Sequence, residues 1–477
     1  MAQAMLAQPS FGREHFGTAQ LGDARRTRRL VCVADRFLAH PHGSLPQKCQ
    51  DPAMYQALRG LLTPAAVTHG AVLQPHADLT RQRMEAHPGT VVLAGDITEL
   101  DFTSKKSLRR QLGRIGDGRG FGYECFNLLA LRADNANVLG LANQLLFKRR
   151  RARRRESKAA SRRARTRQSR LWVRCHQDLP AAPDGRLWVY VFDREGDTTE
   201  ALDAFHRQGK HCVVRSHSNR CILLGHDGAG SRTKLHDHLR TLPPQGERVV
   251  AVPAHDGQPA RQARCGIAWA AVRILPPRQA RGEHGREPLP VWAVRVWELQ
   301  PPAEGKPLEW LLLTNVPVGG EADAQQRVDW YELRWPVEEL HKAMKTGCAI
   351  EKPQLRRVER LEPLLALLSV VAVALVQLRD AARNAEAATR LATEVFPAGH
   401  VEVLSRHRYG EPRALSLREF LYALARLGGY QERPKAAPPG WQVLWKGWGE
   451  LQPMVRGAAL MSPQITEHHP PQKCDHL

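Results

Sequence analysis

The chain of 477 residues is long enough for about three domains, and its 42% hydrophobic and 25% charged content excludes wholesale disorder. It carries 70 Lys+Arg against 48 Asp+Glu, a formal net charge of +22. Such an excess of positive charge favours a polyanionic partner, and nucleic acid is the commonest such partner of a soluble basic protein.

The nine cysteines are dispersed and form no CxxC pair, which excludes a zinc knuckle and a redox motif of that type. Such a set is typical of reduced thiols in a cytosolic protein. The segment Met1–Pro9 has neither a basic start nor a long apolar run, so no signal peptide is expected. The longest apolar run, Leu364–Leu378, is shorter than the roughly 20 residues of a bilayer span. We therefore expect a buried core helix there, a cytoplasmic protein and no membrane partner.

Residues 1 to about 70 have a helical pattern that contains a basic segment. Gly22-Asp23 is typical of a turn and a helix cap, and four arginines follow it: Arg25, Arg26, Arg28 and Arg29. A short basic helix suits contact with phosphates or with a DNA groove. A solvated helix face explains the same pattern, so this segment alone leaves both interpretations open.

Two compact apolar runs each end in an aspartate. Val91–Asp96 and Arg186–Asp193 predict buried β-strands that deliver a carboxylate where the chain leaves the sheet. Such positions favour a functional site, although an aspartate there can equally cap the next helix.

A run of arginines separates these two strands. From Lys148 to Arg170 the charge is almost entirely positive, which predicts an insertion that repels itself and orders only against phosphates. A disordered, solvated loop is a compatible alternative. Because arginine binds phosphate through two hydrogen bonds, this composition favours DNA as the partner.

Short apolar runs separated by Pro- and Gly-rich turns occupy about 222–308 and predict an inserted, mostly antiparallel sheet. Another buried strand is expected within Leu308–Val318. Helices are expected over about 360–385 and around Gly440–Leu451, and the last dozen residues are expected to be disordered.

The segment Asp329–Lys345 predicts a helix with a polar face. At about 100° per residue, five of its side chains share a stripe roughly 80° wide. They are Tyr331, Arg334, Glu338, Lys342 and Lys345. Pro336 predicts a kink or a new helix start, which puts Glu338 in a first turn. The alternative is a solvated charged face.

Three carboxylates stand out from these patterns: Asp96, Asp193 and Glu338. If they converge, their mutual repulsion calls for hard cations, and oxygen ligands suit Mg²⁺ or Mn²⁺ better than zinc. Two such ions can activate a water or a 3′-hydroxyl and stabilise the leaving oxygen in phosphoryl transfer.

The spacing Tyr331-x2-Arg334-x3-Glu338-x6-Lys345 resembles the signature of the cut-and-paste transposases of insertion-sequence family four. Other phrases similar to that family span nearly the full chain. They are Gly95-Asp96-Ile-Thr, Phe192-Asp193-Arg-Glu-Gly-Asp, Val213-Val-Arg215-Ser, Trp310-Leu-Leu-Leu-Thr, Leu21-Gly-Asp-Ala-Arg-Arg-Thr, and the Gly440-Trp and Gly447-Trp pairs. Ile97 departs from the threonine that is common in the family.

The resemblance implies an α/β (α+β) fold class, with an RNase H-like mixed-sheet catalytic core that contains an inserted antiparallel β domain and is flanked by helical N- and C-terminal domains. The expected domains are residues 1–70 for binding transposon ends, 71–368 for catalysis with the β insertion at about 222–308, and 369–477 for dimerisation.

The resemblance further implies a DDE transposase in which Asp96, Asp193 and Glu338 bind two Mg²⁺ (or Mn²⁺) ions. The expected reactions are end nicking, hairpin formation, hairpin opening and strand transfer. The expected partners are double-stranded DNA, as transposon ends and as target, and a second copy in a homodimer. The DNA-binding residues carried over are Arg25, Arg26, Arg215, Trp310, Tyr331, Arg334, Lys342 and Lys345, with Trp310 stacking on a flipped base.

Two other functions are compatible with the sequence. One is an RNase H-like nuclease without strand transfer, and the other is a catalytically silent protein that binds transposon ends and represses. Apart from the resemblance, Trp310 is typical of a core tryptophan, while Arg215 and Lys342 are typical of surface ion pairs. The expected location is the bacterial cytoplasm, at the nucleoid.

Overall fold

The computed structural model describes residues 10–40, 43–149, 168–225, 230–252, 259–277, 284–302, 305–433 and 437–461. The predicted arginine run lies outside the described residues from 150 to 167. The predicted disordered terminus also lies outside them, since the description ends at 461.

The N-terminal segment is helical, as predicted. Its helices are α1 (Phe11–Phe16), α2 (Ala24–Ala39), α3 (Leu45–Cys49), α4 (Pro52–Leu61) and α5 (His69–Ala86). The Asp23 side chain caps α2 by accepting a hydrogen bond from the Arg25 backbone N–H at 2.8 Å, and Gly22 turns the chain with φ +77°. The predicted turn and cap are therefore confirmed.

A region of strands with three short helices follows. Its strands are β1 (Val91–Asp101), β2 (Gly113–Ile115), β3 (Gly120–Arg132), β4 (Val138–Phe147), β5 (Trp188–Phe192), β6 (His211–Arg215), β7 (Cys221–Leu224), β8 (Arg232–Lys234), β9 (Gly246–Val252), β10 (Arg261–Ile274), β11 (Leu289–Glu298) and β12 (Glu309–Thr314). Its helices are α6 (Leu171–Arg174), α7 (Thr199–Arg207) and α8 (Leu235–Thr241).

The last part of the described chain is helical. Its helices are α9 (Glu321–Glu332), α10 (Pro336–Lys342), α11 (Val358–Arg383), α12 (Ala398–Tyr409), α13 (Leu417–Leu427) and α14 (Trp441–Met461), and a π-helical turn at Ala343–Gly347 follows α10. The fold is thus mixed α/β with helices at both ends, as the sequence predicted.

The strands form one mixed sheet in the order β2-β3-β1-β5-β6-β12-β11-β10-β7-β8, with β4 beside β3 and β9 beside β10. β1, β5 and β6 are parallel, whereas the other pairs of described strands are antiparallel. The strands predicted at 222–308 are antiparallel, as expected. They continue the same sheet because β12 pairs with β6.

Both faces of the central strands are buried. In β1, Val92 and Ala94 belong to one core cluster, while Val91 and Leu93 belong to another on the opposite face. This two-sided burial explains why the strands read as continuous apolar runs. Asp96 continues the Val92 and Ala94 face, and α10 packs against β1.

α11 is the helix predicted at 360–385. Its length and composition would allow it to cross a membrane, but 78% of its most apolar stretch is buried inside the protein. It contacts α5 and β4. The predicted buried core helix is therefore confirmed. It also continues unbroken through residue 368, where the sequence predicted a domain boundary.

Candidate active site

The parallel strands place Asp96 and Asp193 side by side. Gly95 of β1 lies opposite Phe192 of β5, so the two aspartates are the next residues on neighbouring strands. Asp193 follows the end of β5, as predicted. The prediction of a strand-end position was wrong for Asp96, because pairing with β3 carries β1 on to Asp101 after β5 has ended.

Glycine is required just before the first aspartate. A Cβ on Gly95 would lie 2.5 Å from the Phe192 ring and 2.8 Å from the Phe126 ring. These rings pack against β1 on the face opposite Asp96, within a fully buried aromatic cluster. The aromatic packing thus fixes the backbone that carries the carboxylate.

Glu338 reaches this edge of the sheet from a short helix. α9 ends at Glu332, and α10 begins at Pro336, where a missing N–H costs no helical hydrogen bond. The predicted new helix start is confirmed, and Glu338 lies in its first turn. The prediction of one continuous polar stripe was wrong, because the break before Pro336 and the π-helical turn at Ala343–Gly347 interrupt the α-helical period.

Arg334 bridges two of the three carboxylates. Its guanidinium donates to Asp96 Oδ2 at 3.3 Å and to Glu338 Oε1 at 2.6 Å. Only 15% of the Arg334 side chain is exposed, so solvent screens these ion pairs little. Arg334 therefore holds the side chains of Asp96 and Glu338 through these two hydrogen bonds.

The carboxylates affect one another electrostatically. Burial raises the pKa of Asp96 to about 7, the neighbouring Arg334 guanidinium opposes that rise, and the charges of Asp193 and Glu338 add to it. The Asp96 side chain is 16% exposed. Its raised pKa therefore reports both a poorly solvated position and three acids within electrostatic range.

Further acids, which the sequence reasoning missed, surround this group. Burial raises the pKa of Glu195, and the charges of Asp193 and Glu99 raise it further. Glu99 lies on β1, and Glu124 lies opposite it on β3. Glu124 is fully buried and forms a 3.0 Å ion pair with Arg149. Glu195 lies within the Asp193-Arg-Glu phrase, which is the one signal in the sequence that could have identified it.

The donor set suits a hard divalent cation, since Asp96, Asp193 and Glu338 offer only carboxylate oxygens. Burial is the main cause of the raised Asp96 pKa, and the repulsion by Asp193 and Glu338 that adds to it is what such a cation would relieve. The Arg334 guanidinium is a positive charge already held between two of the acids. The described residues contain no group of three His, Cys, Asp or Glu side chains already arranged at metal-binding distances. The three acids therefore fit the ions chemically but are not preassembled as a cage.

A buried polar network fastens α10 to the sheet. Asn127 lies on β3 opposite Asp96, and His341 lies on α10 one turn after Glu338. Asn127 Nδ2 and His341 Nε2 are 3.1 Å apart. Gln144 of β4 donates to Asn127 Oδ1 at 2.7 Å and to Ser369 Oγ of α11 at 2.9 Å. Four elements around the acids are thereby connected by hydrogen bonds between buried side chains.

Trp310 and Tyr331 lie close to one another. Trp310 is half-buried on β12, and its ring centroid lies 5.4 Å from that of Tyr331 in an edge-on arrangement. The Arg215 guanidinium, at the end of β6, donates to the Glu309 carbonyl at 3.1 Å. Of the residues carried over by resemblance, these three lie together, and Tyr331 is three residues from Arg334.

The two lysines differ in their surroundings. Lys342 is exposed and donates to Glu339 at 2.9 Å, so it pairs with an acid outside the predicted triad. Glu339 also accepts a 2.9 Å hydrogen bond from the Trp441 indole of α14, which braces α10 from the C-terminal helices. Lys345 is half-buried in the π-helical turn.

The N-terminal arginines belong to a separate surface. Arg25 is exposed at the start of α2, whereas the Arg26 guanidinium donates to the Leu21 carbonyl at 2.8 Å and holds the preceding turn. In the described part of the chain, neither side chain contacts Asp96, Asp193 or Glu338.

The N-terminal segment is similar to a known family. Residues 9–67 match the transposase DNA-binding family. The match contains α2 and its exposed arginines, and it supports DNA as a partner and transposase as the class of DNA-processing protein to which this chain is similar.

Proposed function

We propose that the protein is a DDE transposase that catalyses metal-dependent cut-and-paste transposition. The observation that carries the proposal is that Asp193 and Glu338 both lie within electrostatic range of Asp96 at one edge of a mixed sheet, in a chain whose N-terminal residues match a transposase DNA-binding family. A basic net charge of +22 agrees with a DNA substrate.

Asp96, Asp193 and Glu338 would hold two Mg²⁺ ions, with Mn²⁺ as a possible substitute. When bound, such ions supply activation of the attacking hydroxyl and stabilisation of the leaving oxygen. Arg334 keeps Asp96 and Glu338 oriented through its two hydrogen bonds. The network from Asn127 to His341 keeps α10, and with it Glu338, against the sheet.

The remaining residues would hold the DNA. Arg215, Tyr331, Lys342 and Lys345 are assigned to phosphates on the basis of the resemblance, and the partly exposed Trp310 ring is assigned to a flipped base. The reactions proposed are nicking of the transposon end by water, attack of the freed 3′-hydroxyl on the opposite strand to form a hairpin, hydrolysis of that hairpin, and attack of the new end on target DNA.

The organisation of the protein follows as part of the same proposal. Residues 1–70 would recognise transposon ends, an RNase H-like core within 71–368 would carry the chemistry, and 369–477 would hold a homodimer on paired ends. The location would be the bacterial cytoplasm at the nucleoid.

The test is to incubate the protein and its Glu338→Gln variant with Mg²⁺ and DNA fragments that carry the ends of its own element. The proposal expects nicked, hairpin and joined products from the wild-type protein, and binding without cleavage from the variant. Cleavage without hairpin or joined products would support an RNase H-like nuclease instead.

A catalytically silent repressor is the second candidate. It is favoured by the family match, which covers only the DNA-binding segment, and by the Arg334 guanidinium that already neutralises Asp96 and Glu338. Binding of the ends by the wild-type protein with no cleavage in Mg²⁺ or Mn²⁺ would support this function.

A further inference from the structure

Two segments that are far apart in the sequence carry a concentration of positive charge. Residues 101–119 and 351–360 together contain ten Lys or Arg and four Asp or Glu. The basic residues are Lys105, Lys106, Arg109, Arg110, Arg114, Arg119, Lys352, Arg356, Arg357 and Arg360. We call these two segments the basic loop surface.

Hydrogen bonds join the two segments into one surface. The Asp101 backbone N–H donates to Glu351 Oε1 at 2.8 Å. The Gln111 side chain then bonds twice, donating to the Arg356 carbonyl at 3.3 Å and accepting from the Val358 N–H at 3.2 Å. None of these three bonds uses the cationic end of a basic side chain, whereas a fourth link between the segments does, since Lys105 Nζ donates to the Lys352 carbonyl at 3.5 Å.

The cations of this surface have few acidic partners. Lys106, Arg110, Arg356 and Arg357 are all exposed, and in the described part of the chain none of the four lies at ion-pair distance from a carboxylate. An isolated exposed arginine is well solvated, so the absence of an acidic partner costs it little free energy. Here the fold places several such charges side by side, where they repel one another and attract a polyanion.

The surface lies at the same end of the sheet as the three acids. β1 continues for five residues from Asp96 to Asp101, and the basic loop surface begins there. At 3.4 Å per residue this is about 17 Å. A DNA duplex has one phosphate per roughly 1.7 Å of axis, so a duplex engaged at the acids extends past many phosphates over such a distance.

We propose that the basic loop surface binds the phosphate backbone of double-stranded DNA independently of sequence, as a second DNA contact beside the N-terminal helices. The inference rests on the proposed function for its substrate, because it is the DNA engaged at the acids that this surface would hold. That DNA is either the transposon end or the duplex that receives it, and both present the same phosphate chemistry.

The test measures how binding affinity changes with salt concentration. One variant replaces Lys106, Arg110, Arg356 and Arg357 by glutamine. A matched control replaces four exposed cations of the C-terminal region, Arg390, Arg406, Arg408 and Lys446, which changes the net charge equally. Both are compared with the wild-type protein on a duplex that carries the element's ends and on an unrelated duplex.

Each lost phosphate contact lowers the slope of log K against log salt by about 0.9, so the surface variant should lose about 3 to 4 from the magnitude of the slope and the control less than 1. A smaller slope on the unrelated duplex would show that the surface contacts DNA of any sequence. A smaller slope on the end duplex alone would show that it contacts the transposon end. Equal slopes for the two variants on both duplexes would overturn the proposal.

This outcome is separable from failure of the proposed function. The salt slope is measured without Mg²⁺ and needs no catalysis, whereas the proposed function is judged by cleavage and joining by the wild-type protein. If the wild-type protein never cuts DNA, the two variants can still differ in slope. If it cuts DNA and the two variants have equal slopes, only the proposed DNA contact of the basic loop surface is refuted.

Discussion

Asn127 and His341 are buried side chains from two distant segments whose Nδ2 and Nε2 atoms lie 3.1 Å apart. Asn127 stands opposite Asp96 on the neighbouring strand, and His341 lies one turn after Glu338. Burial, followed by the charges of Lys345 and Arg334, lowers the pKa of His341 to about 3. The imidazole is therefore neutral at physiological pH and connects the two acid-bearing elements without adding charge.

Replacing Asn127 by leucine should uncouple these elements. The change leaves His341 and Gln144 without their shared partner, at a cost of about 1–3 kcal/mol in the free energy of unfolding. We expect the cleavage rate to fall at least tenfold while affinity for the transposon ends stays unchanged. The measurements are single-turnover cleavage, end binding and chemical denaturation.

Asn143→Ala is the matched control for that substitution. Asn143 is also a buried amide, but it donates to the Cys175 carbonyl at 3.0 Å, within the core of the opposite face. If the control loses similar stability but cleaves normally, the Asn127 effect on cleavage comes from positioning the acid-bearing elements. Equal loss of cleavage in both variants would assign it to general destabilisation.

The pH dependence of stability should report Asp96. Its pKa in the folded protein is about 7, above its ordinary value of 3.8, so between these values the native state binds more protons than the unfolded state. In the absence of metal, the contribution of Asp96 to stability should therefore decline as pH rises from about 4 to 7 and stay constant above. The total decline is on the order of 4 kcal/mol.

Asp96→Asn removes the titrating group and should flatten the stability profile over this window, measured by denaturant unfolding at a series of pH values. Arg334→Gln should act in the opposite sense. Because the Arg334 charge lowers the Asp96 pKa, its loss should extend the decline to higher pH while the decline still begins near pH 4. A profile that is identical in all three proteins would contradict the assignment to Asp96.

The local features of the site could be predicted from the sequence. The apolar run before Asp193 ends with the strand, and Pro336 starts a helix, because both depend on neighbours in the chain. The strand carrying Asp96 is longer than its apolar run because residues 97–101 pair with β3, a long-range contact that leaves no local pattern.

The supporting residues could not be predicted for the same reason. Asn127 stands between two apolar residues and His341 lies in a charged helix, and nothing in their spacing indicates that they meet. The basic loop surface likewise depends on Gln111 reaching the backbone on both sides of Arg357. An RNase H-like core, the domain bounds and the metal site remain predictions.

Trp310→Ala should separate two steps of the proposed reaction. The half-buried ring packs edge-on against Tyr331, and stacking on a flipped base contributes about 1–3 kcal/mol. Hairpin formation should therefore fall by roughly 5- to 150-fold while the first nick is unaffected. The two steps are resolved on denaturing gels. Trp310→Phe keeps an aromatic face and should restore most of the activity, and an unchanged hairpin rate for Trp310→Ala would assign the ring to the core.

The adjacent arginines of α2 should behave differently when each is changed to glutamine. Arg25 is exposed, so Arg25→Gln should weaken DNA binding about equally across sequences and reduce the salt slope by about 1 if it contacts one phosphate. The Arg26 guanidinium donates to the Leu21 carbonyl, so Arg26→Gln should lower the free energy of unfolding by about 1 kcal/mol. Fluorescence anisotropy across a salt series and denaturant unfolding measure the two effects. If Arg26→Gln lowers the salt slope as much as Arg25→Gln and leaves stability unchanged, Arg26 binds phosphate instead of holding the turn before α2, and the hydrogen bond to Leu21 is not the main role of its side chain.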